Sequence, residues 1–349
     1  MRNSLLILSL AAMALVGCQR STDGASSGST TSSGGQLKIV YIPKNSGNPY
    51  FNEVVRGFEE AAKAAGADFT TTAPATAEAT SQIDLIKAQI QRRVDVIAIS
   101  ANSPDALNVV LDEAKAAGIA VITVDSDLVG NESHRDAAVV PTDFTKVGES
   151  QIELLGSQIN YEGEIAILSA TRDAPNQNSW IEGMNETLKQ PKYAKMKLVE
   201  TVYGDDEPQK STTEFEALLA KHPTLRGVVS PTSVGLAAAA QALATAEAYP
   251  GGAKANGPGL MLTGLSTPNQ LKKFVQDGVV KGFQLWSPYD MGVLACNLGI
   301  AIKKGEVTPK EGAEFEDPKL GKVAFGKNNV LSAGPLVTFD KSNIDKYNF

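Results

Sequence analysis

The chain has 349 residues, 42% of them hydrophobic, with 32 Lys and Arg against 39 Asp and Glu for a formal net charge of -7. That length supports a large core and more than one domain, while the acidic balance, with a pI near 5.1, excludes the electrostatic footprint of a nucleic-acid binder. Two histidines, His134 and His222, and two cysteines, Cys18 and Cys296, leave little material for metal or acid/base chemistry.

The first eighteen residues read as an export signal: Arg2 is the only charge, Leu5 to Val16 is an apolar run too short to span a bilayer as a mature helix, and Leu15-Val16-Gly17-Cys18 closes it. Residues 19–36, rich in Ser, Thr and Gly, cannot form a core and read as a flexible tether. Cys18 therefore belongs to a leader, and Cys296 sits in the apolar helical pattern MGVLACNLGIAI as a core thiol, so no structural disulfide joins them.

From Leu37 onward, strand and helix patterns alternate. Leu37–Ile42 is apolar on both faces, as a parallel strand covered by helices on both sides requires. Pro43 stops it, Gly47 permits a tight bend, and Asn48 before Pro49 caps a helix over 51–65. The pattern continues with strand 69–72, helix 81–92, strand 94–100, helix 104–117, strand 119–124, strand 137–140 and helix 144–159. A second unit follows: strand 164–169, helix 179–188, strand 197–202, helix 212–220, strand 227–230, helix 234–246, strand 260–264, helix 269–276, strand 280–285 and helix 289–303. Segments 321–325 and 335–339 look extended.

The expected fold is α/β: two doubly wound parallel-sheet lobes joined by a hinge, with a cleft at the carboxyl ends of the first strands. The predicted lobes are 37–141 plus about 287–320, and 142–286 plus about 321–349.

Polar residues and aromatics recur just past the strands, where open α/β sheets hold ligands. They are Lys44, Asn48, Tyr50 and Phe51 after the first strand, Ser100 to Ser103 after the third, Asp125 and Asp127 after the fourth, then Asn176 and Gln177, Pro231 and Ser233, and Trp286. Carboxylates and amides pair with adjacent hydroxyls, and an aromatic ring covers the C–H face of a sugar, so the set suits a neutral polyhydroxylated ligand. Each also has a plainer use: Asn48 and Ser103 cap helices, the aspartates form turns, Lys44 is a solvated charge, and Tyr50, Phe51 and Trp286 fill the core.

The order of motifs resembles the type I periplasmic sugar-binding proteins of ABC transporters, the ribose-binding group in the broad sense, over nearly all of the chain beyond the tether. Asn48-Pro49-Tyr50-Phe51 is similar to that group's Asn-Pro-aromatic-aromatic ligand motif. IPK at 42–44, SANSPDAL at 100–107, VDSD at 124–127, NQNSWIEGM at 176–184, GLSTPNQ at 264–270 and the ending NIDKYNF resemble the branch that holds the rhamnose-binding and autoinducer 2-binding proteins. The ending LVGC resembles a bacterial lipobox, which implies lipidation at Cys18.

The resemblance implies an extracytoplasmic solute-binding lipoprotein of an ABC importer that works as a monomer, with a monosaccharide ligand, permease and ATPase partners, a lipid anchor in the membrane, and no cofactor or enzymatic activity. Lys44, Asp125 and Gln177 match ligand residues of the autoinducer 2 binders. Asn176 stands where those binders carry aspartate, and Ser233, within PTSVG beside Pro231, where they carry a small apolar residue; both favour a rhamnose-like sugar. The alternatives are an autoinducer 2-binding protein and a sugar sensor that presents its closed form to a receptor kinase.

Overall fold

A computed structural model describes residues 35–349; the predicted leader, Cys18 and residues 19–34 of the tether lie outside the described residues. The first unit contains β1 (Lys38–Ile42), α1 (Pro49–Ala65), β2 (Asp68–Thr71), α2 (Ile83–Arg92), β3 (Val96–Ile99), α3 (Asn108–Ala116), β4 (Ala120–Val124) and β5 (Ala137–Val140). The second contains α4 (Phe144–Ile159), β6 (Glu162–Ser169), α5 (Pro175–Leu188), β7 (Lys195–Tyr203), α6 (Pro208–Lys221), β8 (Leu225–Ser230), α7 (Ser233–Ala246), β9 (Met261–Gly264), α8 (Pro268–Gln276) and β10 (Gly282–Leu285). Then come α9 (Pro288–Lys304), β11 (Glu314–Asp317), β12 (Gly321–Ala324), β13 (Val330–Ser332) and β14 (Val337–Asp340).

Two sheets result. The first has the order β13-β5-β4-β3-β1-β2 with every pairing parallel. The apolar residues of β1 divide by pleat as the alternation dictates. Ile39 and Tyr41 pack with Val54 and Phe58 of α1, and Val40 and Ile42 pack with Ile86 of α2 and Leu111 of α3. The second sheet is parallel in the order β7-β6-β8-β9. β10 continues it through a bridge between Leu265 and Gln284, and β14 closes its edge antiparallel to β10.

The chain passes from the first sheet to the second between β5 and α4, returns between β10 and α9, and passes again between β13 and β14. The last crossing corrects the sequence reading, which assigned about 321–349 to the second lobe. Val330–Ser332 pairs with Ala138–Val140, so the chain stays with the first sheet until after Ser332. Three residues carry no periodicity from which a partner can be read, and only the free edge of β5 selects them.

Helix starts also differ from expectation where proline stands at the first helical position. α5 begins at Pro175 and α6 at Pro208, each several residues before the apolar pattern declares itself. Asn176 and Gln177 consequently lie in the first turn of a helix, not in a loop.

Two helix pairs approach very closely. At the crossing of α1 with α9, a Cβ on Gly57 would lie 2.1 Å from the Tyr289 carbonyl oxygen, and at the crossing of α4 with α5, one on Gly148 would lie 2.3 Å from the Trp180 carbonyl oxygen. Both pairs hold helices that carry cleft residues, so these glycines set the distance at which those residues meet.

Candidate functional site

The carboxyl ends of the strands in both sheets converge on one cavity. From the first lobe come Lys44, just past β1; Asn48, Tyr50 and Phe51 at the start of α1; and Asp125, just past β4. From the second come Asn176, Gln177 and Trp180 of α5, Asp206 past β7, Pro231 to Ser233 past β8, Leu265 past β9, and Leu285 with Trp286 at the end of β10. The cavity volume is about 40 Å³, close to the ~30 Å³ that one water occupies in the liquid.

Its polar side chains bond to one another across the two lobes. Lys44 Nζ donates to Asn176 Oδ1 at 2.7 Å, and Asn176 Nδ2 donates to Asp125 Oδ2 at 3.2 Å. The Tyr50 hydroxyl donates to Asp125 Oδ1 at 2.7 Å and accepts from Trp286 Nε1 at 2.8 Å. Ser233 Oγ donates to Asn48 Oδ1 at 3.2 Å, while the same oxygen caps α1 by accepting from the Tyr50 amide. Asn48 thus serves as helix cap and as cleft residue at once. Gln177 Oε1 accepts from Ser169 Oγ and the Ala170 amide, both at 2.8 Å, which fixes the side-chain amide and leaves its NH₂ for the cavity.

A layer behind the cleft holds Lys44 in place. Gln82 Nε2 donates to the Pro43 and Ser100 carbonyls, and Asn102 Nδ2 donates to the Lys44 carbonyl. The SANS turn at 100–103 therefore acts through the backbone of Lys44, outside the cavity lining.

The charges are buried. Burial lowers the Lys44 pKa, opposed by the fields of Asp125 and Asp206. Burial raises the Asp125 pKa, opposed by Lys44 and by the Tyr50 hydrogen bond, and raises that of Asp206, opposed by its bond from Thr232. One ammonium between two carboxylates is a grip for neutral hydroxyl groups, which can donate to the carboxylates and accept from the lysine.

Beside the 100–103 turn, one more of the residues read from sequence as cleft residues lies elsewhere, and the other ten line the cavity. Asp127 is bound bidentately by Arg135, Nε to Oδ1 and Nη2 to Oδ2 at 2.6 Å each, and accepts from Thr123 Oγ1 at 2.6 Å. The Arg135 side chain is 1% exposed and needs a counter-charge there, and its Nη1 also donates to the Asn328 carbonyl ahead of β13. Asp125 takes φ of +68°, which turns the chain between the two aspartates so that one carboxylate enters the cleft and the other enters the sheet framework.

Sequence reasoning missed Trp180, Asp206, Leu265 and Leu285. Trp180 lies one helical turn from Asn176 and Gln177, on the same face of α5. Asp206 lies in the turn YGDDEP just past β7, the same position relative to its strand as every other cleft turn, so the rule that found the others also reaches it.

A family model described as periplasmic binding protein domain matches residues 39–306. The structure of a sugar ABC transporter protein from Actinomyces odontolyticus is 36% identical, covering 90% of this chain and 98% of that one at a TM-score of 0.70. An ABC transporter solute-binding protein from Clostridium phytofermentas with bound L-rhamnose is 30% identical, covering 89% and 98% at a TM-score of 0.84. LsrB from Clostridium saccharobutylicum in complex with AI-2 is 21% identical over 90% and 100% at a TM-score of 0.82, a likeness of fold alone.

Proposed function

We propose, on the premise that this chain belongs to the periplasmic binding protein family, that it delivers a neutral monosaccharide of the rhamnose type to an ABC importer. The chain is a binding protein of sugar transport, not an enzyme. The observation that carries the ligand class is the cross-lobe set Lys44, Asp125 and Asn176, which offers a cation, a carboxylate and an amide beside the indole rings of Trp180 and Trp286. Hydroxyls and an apolar ring face match that set, and the 30% identical relative holds L-rhamnose.

Asn176 favours such a sugar over AI-2. As an amide it accepts from Lys44 and donates to Asp125; an aspartate there would set a second carboxylate against the first. With a cavity of about 40 Å³ between the lobes, a sugar enters when they part at the three crossings. It then takes over the bonds that Lys44, Asn176 and Asp125 exchange, and its greater affinity for the closed arrangement shifts the equilibrium toward closure. A micromolar site needs about 8 kcal/mol, within reach of several desolvated hydrogen bonds and stacked rings.

The closed form docks on the permease. The chain is exported, and its anchoring by a lipid on Cys18 is tested by following whether Cys18→Ala releases it from the membrane. The ligand reading is tested by thermal shift and small-angle scattering of residues 35–349 with L-rhamnose, D-arabinose, D-ribose and AI-2. Rhamnose is expected to raise the melting temperature and contract the molecule; no change with any of the four overturns the reading.

A further inference from the structure

The carboxylates that line the cavity share a backbone feature. Asp125, from the first lobe, has φ of +68°, and Asp206, from the second, has φ of +57°. Side-chain-bearing residues adopt this left-handed region at a steric cost and persist in it where the surroundings enforce it. At Asp206 the enforcement is visible: the amides of Gly204 and Asp205 donate to the carbonyls of Ser169 and Ala170 at 2.9 and 3.0 Å, and Glu207 closes the turn onto the Gly204 carbonyl at 2.9 Å. A Cβ on Gly204 would lie 2.2 Å from Ser211 Oγ, so the turn is pressed against α6 as well. The effect is to hold an acidic side chain, 6% exposed, at the cavity wall.

The two carboxylates differ in how they are used. Asp125 has both oxygens engaged, one by Tyr50 and one by Asn176. Asp206 accepts from Thr232 Oγ1 through Oδ1, and its Oδ2 has no donor among the described residues. Lys44, which carries the positive charge of the cavity lining, donates to Asn176 and reaches Asp206 only through space. At the cavity wall, that second oxygen is free to accept from a ligand hydroxyl.

We propose that Asp206 is a ligand-contacting residue that reads a sugar hydroxyl from the second lobe, opposite Asp125, and that the resulting pair of carboxylates excludes acidic sugars. The inference rests on the sugar-binding reading of the cleft. With one lysine against two aspartates, a uronate or aldonate would bring a further carboxylate into a desolvated site whose acidic groups already outnumber its single basic one. Neutral sugars with hydroxyls along two edges satisfy both aspartates, one from each lobe, and so draw the lobes together.

The test is calorimetry on residues 35–349 with L-rhamnose, its monodeoxy analogues and D-galacturonate, or with whichever panel sugar binds the wild type most tightly in place of rhamnose. Asp206→Asn keeps the shape and a partner for Thr232; it is expected to weaken binding of the parent sugar tenfold or more. That loss should vanish for the one deoxy analogue that lacks the hydroxyl read by Asp206, and the ratio of uronate to neutral-sugar affinity should rise. Unchanged binding in Asp206→Asn overturns the proposal, as does an equal loss across all analogues accompanied by a lower melting temperature, the signature of a purely structural turn. A wild type that binds none of the sugars refutes the cleft reading itself, an outcome distinct from either.

Discussion

Asp127 and Asp125 stand two residues apart, and the structure gives them opposite duties, so a pair of alanine substitutions separates them. Asp127→Ala strands the Arg135 guanidinium, whose side chain is 1% exposed and held by two contacts of 2.6 Å. Breaking one side of such a buried pair costs roughly 3–5 kcal/mol, because the remaining charge keeps its desolvation penalty. At about 2 °C per kcal/mol for a chain of this size, the melting temperature should fall by roughly 6–10 °C. Affinity for the sugar should stay within about twofold, since the Asp127 carboxylate does not line the cavity. Asp125→Ala should do the reverse: affinity falls by about 2 kcal/mol, or roughly thirtyfold, while stability changes little. Replacing the pair together, Asp127→Met with Arg135→Met, should recover at least half of the lost stability, because no buried charge remains. Scanning calorimetry and isothermal titration supply both readouts. An Asp127→Ala protein that melts like the wild type and binds sugar as poorly as Asp125→Ala would refute the assignment of Asp127 to the framework.

Three further outcomes follow from the same structure. Asn176→Asp sets two carboxylates where an amide now bridges at 3.2 Å; sugar affinity should drop at neutral pH and recover partly on acidification as one carboxylate takes a proton, and a pH-independent affinity would count against this. Gly148→Ala must push α5 away from α4, with a contact of 2.3 Å to relieve; a loss of roughly 1–3 kcal/mol is expected from the overpacking, together with weaker binding because α5 carries Asn176, Gln177 and Trp180, and denaturant titration with calorimetry reads both. Glu153 is held down to about 2 by hydrogen bonds from Lys192, Tyr193 and Tyr161. A depressed carboxylate stabilises the fold above its unfolded value near 4.5 and loses that contribution as pH falls toward 2. Because its side chain is 41% exposed, solvent screening limits the effect to about 1 kcal/mol, and Glu153→Gln should flatten the acid limb of a pH titration of stability by that amount.

The alternation of strands and helices was legible because parallel strands covered on both sides must be apolar on both faces, as β1, β3 and β4 are. Most of the cleft was legible for a related reason: polar residues and aromatics recur just past several such strands, at the end of the sheet where ligands are held. What escaped was information that sequence does not hold locally. The pairing of β13 with β5 is decided by a free sheet edge far away in the chain. The split between Asp125 and Asp127 is decided by one left-handed residue and by a buried arginine eight positions on. Asp206 was within reach, since its turn follows β7 as the others follow their strands, but the tight sequence YGDDEP reads as an ordinary loop between a strand and a proline-initiated helix.

The three crossings also govern when the protein can acquire its shape. A nascent chain leaves the ribosome with β1 to β5 early, yet α9, whose Leu294, Ala295 and Leu298 share a core with Ile39, Val96 and Ile122, is made only after the whole of the second unit through β10. The edge strand β13 comes later still, and β14, which borders β10, last of all. The first sheet is complete only once β13 is made and the second only once β14 is made, so each still lacks an edge strand when most of the chain has been synthesised. Such a polypeptide remains threadable while it is being made, as passage through a narrow translocation channel demands.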